Sequence, residues 1–267
     1  MSLLQAILLG LLQGLTEFLP VSSSAHLLLA QRWLGVDSAD LTFSVAVHLG
    51  TLFAVFVSFR KEIGGLCRTV FTGRIFLRPK EEPSRLFWLL ILSLLPLFLI
   101  YPFKDFLDPL LLSPTVAGIC LLFNGLILLL CDLAPSGRKT ADTMRKKDAL
   151  FVGILQGFAL LPGLSRSGTT VTAGVCRGLD RSFAAQSSFL LSIPTILGGA
   201  LLEGLDAWSA GLNAALLLPC FWGMLAAALS GFCAITLLKY LLRSKKFFYF
   251  ALYTFALGVI TLVGEVI

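Results

Sequence analysis

Apolar runs dominate the chain, and its polar residues fall in a few tight groups between or within those runs. Six runs, residues 41–59, 86–104, 112–132, 184–204, 212–240 and 247–266, are long enough as helix to cross a hydrocarbon core of about 30 Å. Two further apolar regions, 3–34 and 148–178, are each broken near the middle by proline and a polar cluster. Neither half of such a region crosses alone, since Leu3 to Leu12 as helix reaches only about 15 Å. Each region is therefore either a kinked crossing or a re-entrant hairpin that enters and leaves on one side. Non-helical backbone at membrane depth is tolerated only where it is buried in protein or lines a cavity.

Composition agrees with the membrane reading: 57% of the residues are hydrophobic and only 13% charged, against about 25% charged in a soluble domain. The net charge of +6 does not point to nucleic acid, because the basic residues sit between apolar runs and form no basic and aromatic face. They read as topology signals. The 60–85 connection holds Arg60, Lys61, Arg68, Arg74, Arg78, Lys80 and Arg85, and the 133–147 connection holds Arg138, Lys139, Arg145, Lys146 and Lys147. Arg243, Lys245 and Lys246 follow the fifth run. The positive-inside rule makes all three connections cytoplasmic. They share a side only if both broken regions are hairpins. Arg32 and Lys104 then lie outside with Asp37, Asp40, Asp105, Asp108 and Asp206, and both termini are expected outside.

The six cysteines show no metal spacing and read as small apolar residues. No Lys or Arg precedes the first apolar run, and Glu17 and Pro20 interrupt it, so the N-terminal segment is expected to remain in the mature protein.

A repeat organises the whole chain. Leu12-Gln13-Gly14, then Pro20 and Ser22-Ser23-Ser24, returns about 143 residues later as Leu155-Gln156-Gly157, then Pro162 and Ser165-Arg166-Ser167. Three crossings follow each copy, and three is odd, so the second copy is inverted relative to the first. The expectation is an all-α polytopic membrane protein with six transmembrane helices and two re-entrant hairpins. Repeat one runs over about 1–132 with its hairpin at 3–34, and repeat two over about 148–267 with its hairpin at 148–178. Inverted repeats with broken helices at the midplane are also the plan of secondary transporters.

The breaks carry the candidate chemistry. Gln13 and Glu17 are four apart and share a helix face, and Pro20 ends that helix. The serines after it suit the N-cap of a returning half-helix, with His26 one turn beyond Ser22. In the second break Pro162-Gly163 interrupts the helix and Ser165 to Thr170 opens the next one. Two half-helix N-termini would then face the middle of the membrane, where their free N–H groups attract anions. Arg166 adds a guanidinium fork suited to phosphate, and Ser22, Ser23, Ser24, Ser165, Ser167, Thr169 and Thr170 add hydroxyls. Glu17 has the wrong sign for an anion site unless it holds a metal ion or acts as a base; a diphosphate with Mg²⁺ or Ca²⁺ reconciles the two. Against this stand plainer readings. Membrane serines bond neighbouring helices, Arg166 and Glu17 form a structural ion pair, and His48 is a packed histidine. Gly10 and Gly14 read as close-packing positions.

At these residues the chain resembles the bacterial BacA-type undecaprenyl-pyrophosphate phosphatases. Gln13-x-x-x-Glu17 is similar to the family's (E/Q)-x-x-x-E motif. The F-L-P-V-S-S run with His26 follows, and Pro162-Gly163-Leu164-Ser165-Arg166-Ser167 is similar to its P-G-x-S-R-S motif. Gln13 stands where other members carry a second glutamate. The resemblance implies removal of the terminal phosphate from a C55 isoprenoid diphosphate in the bacterial inner membrane, at a site open to the outer face. It assigns Arg166 to the phosphates, with Ser165, Ser167, Thr170, Ser22 and Ser24 around it. Glu17 with Gln13 holds the divalent cation or orients water, and Ser23 and His26 serve the displacement. Whether Ser23, His26 or water attacks stays open. The alternative is a lipid-phosphate flippase or other transporter, in which Glu17 couples to a proton or ion. Partners are the lipid substrate and membrane lipids, with no nucleic acid; a homodimer stays open.

Overall fold

The computed structural model describes residues 1–36, 41–100, 110, 112–135, 137–210, 214–243 and 247–266. The helices are α1 (Leu3–Phe18), α2 (Ser23–Trp33), α3 (Leu41–Ser58), α4 (Arg60–Phe71), α5 (Arg74–Leu77) and α6 (Ser84–Ile100), then α7 (Pro114–Leu133), α8 (Lys146–Phe158), α9 (Arg166–Cys176), α10 (Arg181–Ala210), α11 (Leu217–Arg243) and α12 (Phe247–Val266). No β-strand occurs among the described residues; a lone bridge joins Lys139 to Leu179. Of these helices α3, α7, α10, α11 and α12 are long and apolar enough to cross a membrane. The expected sixth crossing is α6, with 17 described residues; its continuation at 101–104 lies outside the described residues. So do Asp37, Asp40, Lys104, Asp105, Asp108, Lys245 and Lys246.

Both broken regions fold back on themselves. α1 has 16 residues and α2 has 11, lengths of about 24 and 16 Å, each short of a full crossing. Gln5 Nε2, at the start of α1, donates to the Leu34 carbonyl at the end of α2 over 3.0 Å. The two ends of the first hairpin therefore lie together. The second hairpin is closed more strongly. Asp148 at the start of α8 accepts from Arg177, just past α9, at 2.9 Å and from Lys139 at 2.9 Å. Lys139 also donates to the Arg177 carbonyl at 2.7 Å.

Side-chain ties then fix which ends share a face. Arg85, at the start of α6, donates to the carbonyls of Ala141 and Met144, each at 2.7 Å. Arg181, opening α10, donates to the Cys131 carbonyl near the end of α7 at 2.7 Å. The Phe248 N–H of α12 donates to Asp132 at 2.7 Å. These contacts gather the 60–85 and 133–147 connections and the mouth of the second hairpin on one basic face. On the opposite face Arg32, ending α2, pairs with Glu265, ending α12, and Ser44, early in α3, donates to Glu203, late in α10, at 3.0 Å. The hairpins thus enter from opposite faces, as an inverted repeat requires.

Packing follows the same exchange. α1 lies on α11 as α8 lies on α6, while α3 meets α10 and α7 meets α12. Matching glycines allow it. A Cβ on Gly10 would stand 2.2 Å from the Gly223 carbonyl oxygen, and one on Gly153, 143 residues later, 2.3 Å from that of Ser93. Between the hairpin tips and the basic face lies a sealed aromatic cluster. Phe18, Phe59 and Phe189 are all buried, with ring centroids 5.8 and 5.3 Å apart about Phe189. The 60–85 connection, expected as a loop, holds the short helices α4 and α5, whose exposed Phe71, Phe76 and Leu77 sit among its basic residues.

Candidate active site

Each returning half-helix begins with a serine cap. Ser22 Oγ faces the Ala25 N–H at 3.5 Å, and Ser165 Oγ accepts from the Gly168 N–H at 3.1 Å. Ser22 does so from φ +72°, a left-handed backbone rare for a side chain of its kind. The reason lies across the fold: its hydroxyl also accepts from the Gly163 N–H of the other hairpin at 3.1 Å. Asn124 of α7 completes the join, donating to the Pro20 carbonyl and accepting from the Ser165 N–H, both at 2.9 Å. The tips therefore touch. The first N–H groups of α2 and α9 have no acceptor within their own helices, so two partial positive ends converge at one point.

Glu17 lies where they converge. Its Oε2 accepts from Gln13 Nε2 at 3.0 Å and from Ser23 Oγ at 2.7 Å, and its Oε1 pairs with Arg166 of the other repeat. The carboxylate is only 8% exposed, and an unpaired buried charge is costly, so three donors hold it. Above it opens a cavity of about 450 Å³. Its closed end carries Glu17, Ser23, Ser24, Ser165 and Arg166, and its outer part runs between α3 and α10 past Ser44 and Glu203. Those two residues belong to the face opposite the basic one. Leu27, Leu28, Leu97, Leu112 and Ile196 make the walls largely hydrocarbon.

The other residues singled out in the sequence lie around this centre. Gln13 is fully buried behind Glu17, with its Oε1 unpartnered. Ser22 joins the tips, Ser167 Oγ lies 3.0 Å from Ser165 Oγ, and Thr170 reaches Ser188 at 2.6 Å. Thr169 is buried with an unpartnered hydroxyl. His26 turns away from the cavity lining. Its Nδ1 donates to the Ser22 carbonyl, an acceptor only, at 2.7 Å, which leaves Nε2 to accept from the Tyr253 hydroxyl at 2.7 Å. Its ring stacks on that tyrosine with centroids 5.6 Å apart.

Sequence reasoning took His48 for a packed histidine and gave Gln156 and Asn124 no role in the site. His48 lines the cavity with Nδ1 donating to the Ser44 carbonyl at 2.8 Å. Gln156, the repeat counterpart of Gln13, also lines it. Asn124 is a lone amide in an apolar span, a signal that a search for single polar residues in crossings would have caught. All six cysteines are free thiols, and no three His, Cys, Asp or Glu side chains gather into a metal cage among the described residues.

Inverted repeats whose half-helix N-termini and a single guanidinium meet at the closed end of an apolar cavity define a polytopic membrane protein built to receive an amphiphilic anion. The chain belongs to the family described as bacitracin resistance protein BacA, which it matches over residues 6–260. It is 42% identical to the undecaprenyl-diphosphatase of Carboxydothermus hydrogenoformans, over 98% of this chain and 97% of that one. The undecaprenyl-diphosphatases of Halothermothrix orenii and Methanobrevibacter smithii are each 39% identical to it. They cover 98% and 100% of this chain, and 98% and 99% of their own lengths.

Proposed function

We propose that the protein hydrolyses undecaprenyl diphosphate to the monophosphate and phosphate, recycling a lipid carrier for cell-wall synthesis. The observation that carries this is the meeting of Arg166, two helix N-termini and Glu17 at the inner end of a cavity with hydrocarbon walls. Such a site matches a diphosphate joined to a long apolar tail. The tail lies along the leucine-lined wall, and the diphosphate reaches the tips.

Phosphoryl transfer needs positioning and neutralisation of charge more than covalent chemistry from the protein. Arg166 and the N–H groups of α2 and α9 grip the phosphate oxygens. As they do so the substrate competes with Glu17 for the guanidinium, which frees Oε1. Glu17 Oε2 and Ser23 Oγ, 2.7 Å apart, have the spacing of a base and the hydroxyl it activates. Glu17 takes a proton from Ser23, or from a water beside it, as that oxygen bonds to the terminal phosphorus and the bond from phosphorus to the bridging oxygen breaks, leaving the isoprenyl monophosphate. On the Ser23 route, water then frees phosphate from the serine. His26, bonded on both ring nitrogens, acts by holding the Ser22 turn.

A divalent cation, Mg²⁺ or Ca²⁺, fits beside Glu17. A hard cation in a phosphate site keeps waters and takes one or two protein oxygens, and the unpartnered Gln13 Oε1 adds an oxygen near the carboxylate. Held there by Glu17 and Gln13, such an ion would supply neutralisation of charge on the phosphates. The basic face is cytoplasmic by the positive-inside rule, so the cavity opens outward and the described ends of α1 and α12 lie outside. A transporter reading is less favoured, because the Phe18, Phe59 and Phe189 cluster closes the path beneath the tips.

The test is phosphate release from C55 isoprenyl diphosphate by purified protein in detergent, with Mg²⁺ or Ca²⁺ and then with chelator, for wild type and Arg166→Lys. Lysine keeps the charge but loses the fork. Release that needs the metal and falls by about 10- to 100-fold in the variant supports the reading, the scale expected when a hydrogen bond to a charged group is lost. No release from folded wild type overturns it.

A further inference from the structure

Gln156 stands out among the buried polar side chains. It is 2% exposed, yet neither its Nε2 nor its Oε1 has a hydrogen-bond partner. A buried amide left unsatisfied is costly, and such groups in native proteins commonly mark a role outside the fold itself. The repeat explains how it arose. Gln13 has a carboxylate one turn later, Glu17, and donates to it. One turn after Gln156 stands Leu160, which offers no acceptor. The amide is therefore left without a partner, in a residue that lines the cavity together with Arg166 and Ser165.

Resting on the phosphatase reading above, we infer that Gln156 is a substrate-contacting residue, its amide N–H₂ donating to a phosphate oxygen of the isoprenyl diphosphate. The two repeats have divided one glutamine's work. Gln13 fixes the base, and Gln156 holds the group on which the base acts. An amide suits this place because it donates without adding a second charge beside Arg166, and its oxygen can accept from a water on the same phosphate.

The experiment compares wild type, Gln156→Leu and Gln156→Glu, full-length in detergent, by melting temperature and by kcat and KM for C55 isoprenyl diphosphate. Protection of each by inorganic pyrophosphate in the same melts serves as a binding probe. Replacing an unpartnered buried amide by a hydrocarbon of similar size should leave Tm unchanged or raise it. In Gln156→Leu kcat/KM should nevertheless fall by about 10- to 100-fold, the scale of a lost hydrogen bond to a charged group, and pyrophosphate protection should shrink. Gln156→Glu should be worse, because its carboxylate opposes the phosphate. A Gln156→Leu protein with kcat/KM within about twofold of wild type, or one whose Tm drops while its activity per folded molecule holds, overturns the assignment and returns Gln156 to packing. A wild type that neither releases phosphate nor is protected by pyrophosphate overturns the phosphatase reading, and this inference with it.

Discussion

Three donors from two repeats converge on the Glu17 carboxylate, and each loses something different if the charge goes. Glu17→Gln keeps the shape and still accepts from Ser23 or Arg166 but cannot take a proton. Its phosphate release should fall by about 10²- to 10⁴-fold, the contribution of a positioned base, in a protein that stays folded but melts lower because Arg166 loses its anionic partner. Activity within a few-fold of wild type would remove Glu17 from the chemistry. Much of this centre was legible in the sequence, because Gln13, Glu17, Ser23 and Arg166 are conspicuous in apolar surroundings. His48 and Gln156 were not. Each is flanked in sequence only by apolar residues and glycine, and only folding decides whether such a residue meets a neighbour or a cavity. The orientation of His26 was hidden for a related reason: Tyr253 is 227 residues away.

Among the elements, the second hairpin owes its closure to one carboxylate. Asp148 is fully buried, and although burial pushes its carboxyl up, the Lys139 ammonium, the Arg145 N–H and the Arg177 guanidinium outweigh it and hold it below the ordinary 3.8. A carboxylate so lowered stabilises the fold at pH above that ordinary value, and the contribution is lost as the pH falls below it. Asp148→Asn should lower stability near neutral pH by about 2 kcal/mol, less than a fully buried pair because both cations are one-third exposed. Melting in detergent from pH 7 to 3 checks this: the gap between wild type and variant should close on acidification, and a gap constant with pH would rule the charge out as its cause. The hairpins could be read in the sequence from proline beside a polar cluster. Their closed mouths could not, since Gln5 with Leu34 and Asp148 with Arg177 are pairs about 29 residues apart. α4 and α5 were missed because an amphipathic helix rich in arginine reads as a charged loop.

For the whole molecule, the inverted plan follows from counting crossings and charges, and side-chain ties now place the ends. Orientation yields to a direct measurement. Cys67 is exposed on α4, on the basic face. In a variant keeping only that cysteine, an impermeant maleimide should label permeabilised cells and spare intact ones. Labelling of intact cells would reverse the membrane orientation and turn the cavity inward.

The Glu17–Arg166 pair has a further meaning. Its anion belongs to one half of the chain and its cation to the other. Two copies of the first half would bring two carboxylates together with no guanidinium between them; two copies of the second would do the reverse. Whatever ancestry the repeat records, the halves have specialised as complementary partners, and neither one, doubled, would rebuild this centre.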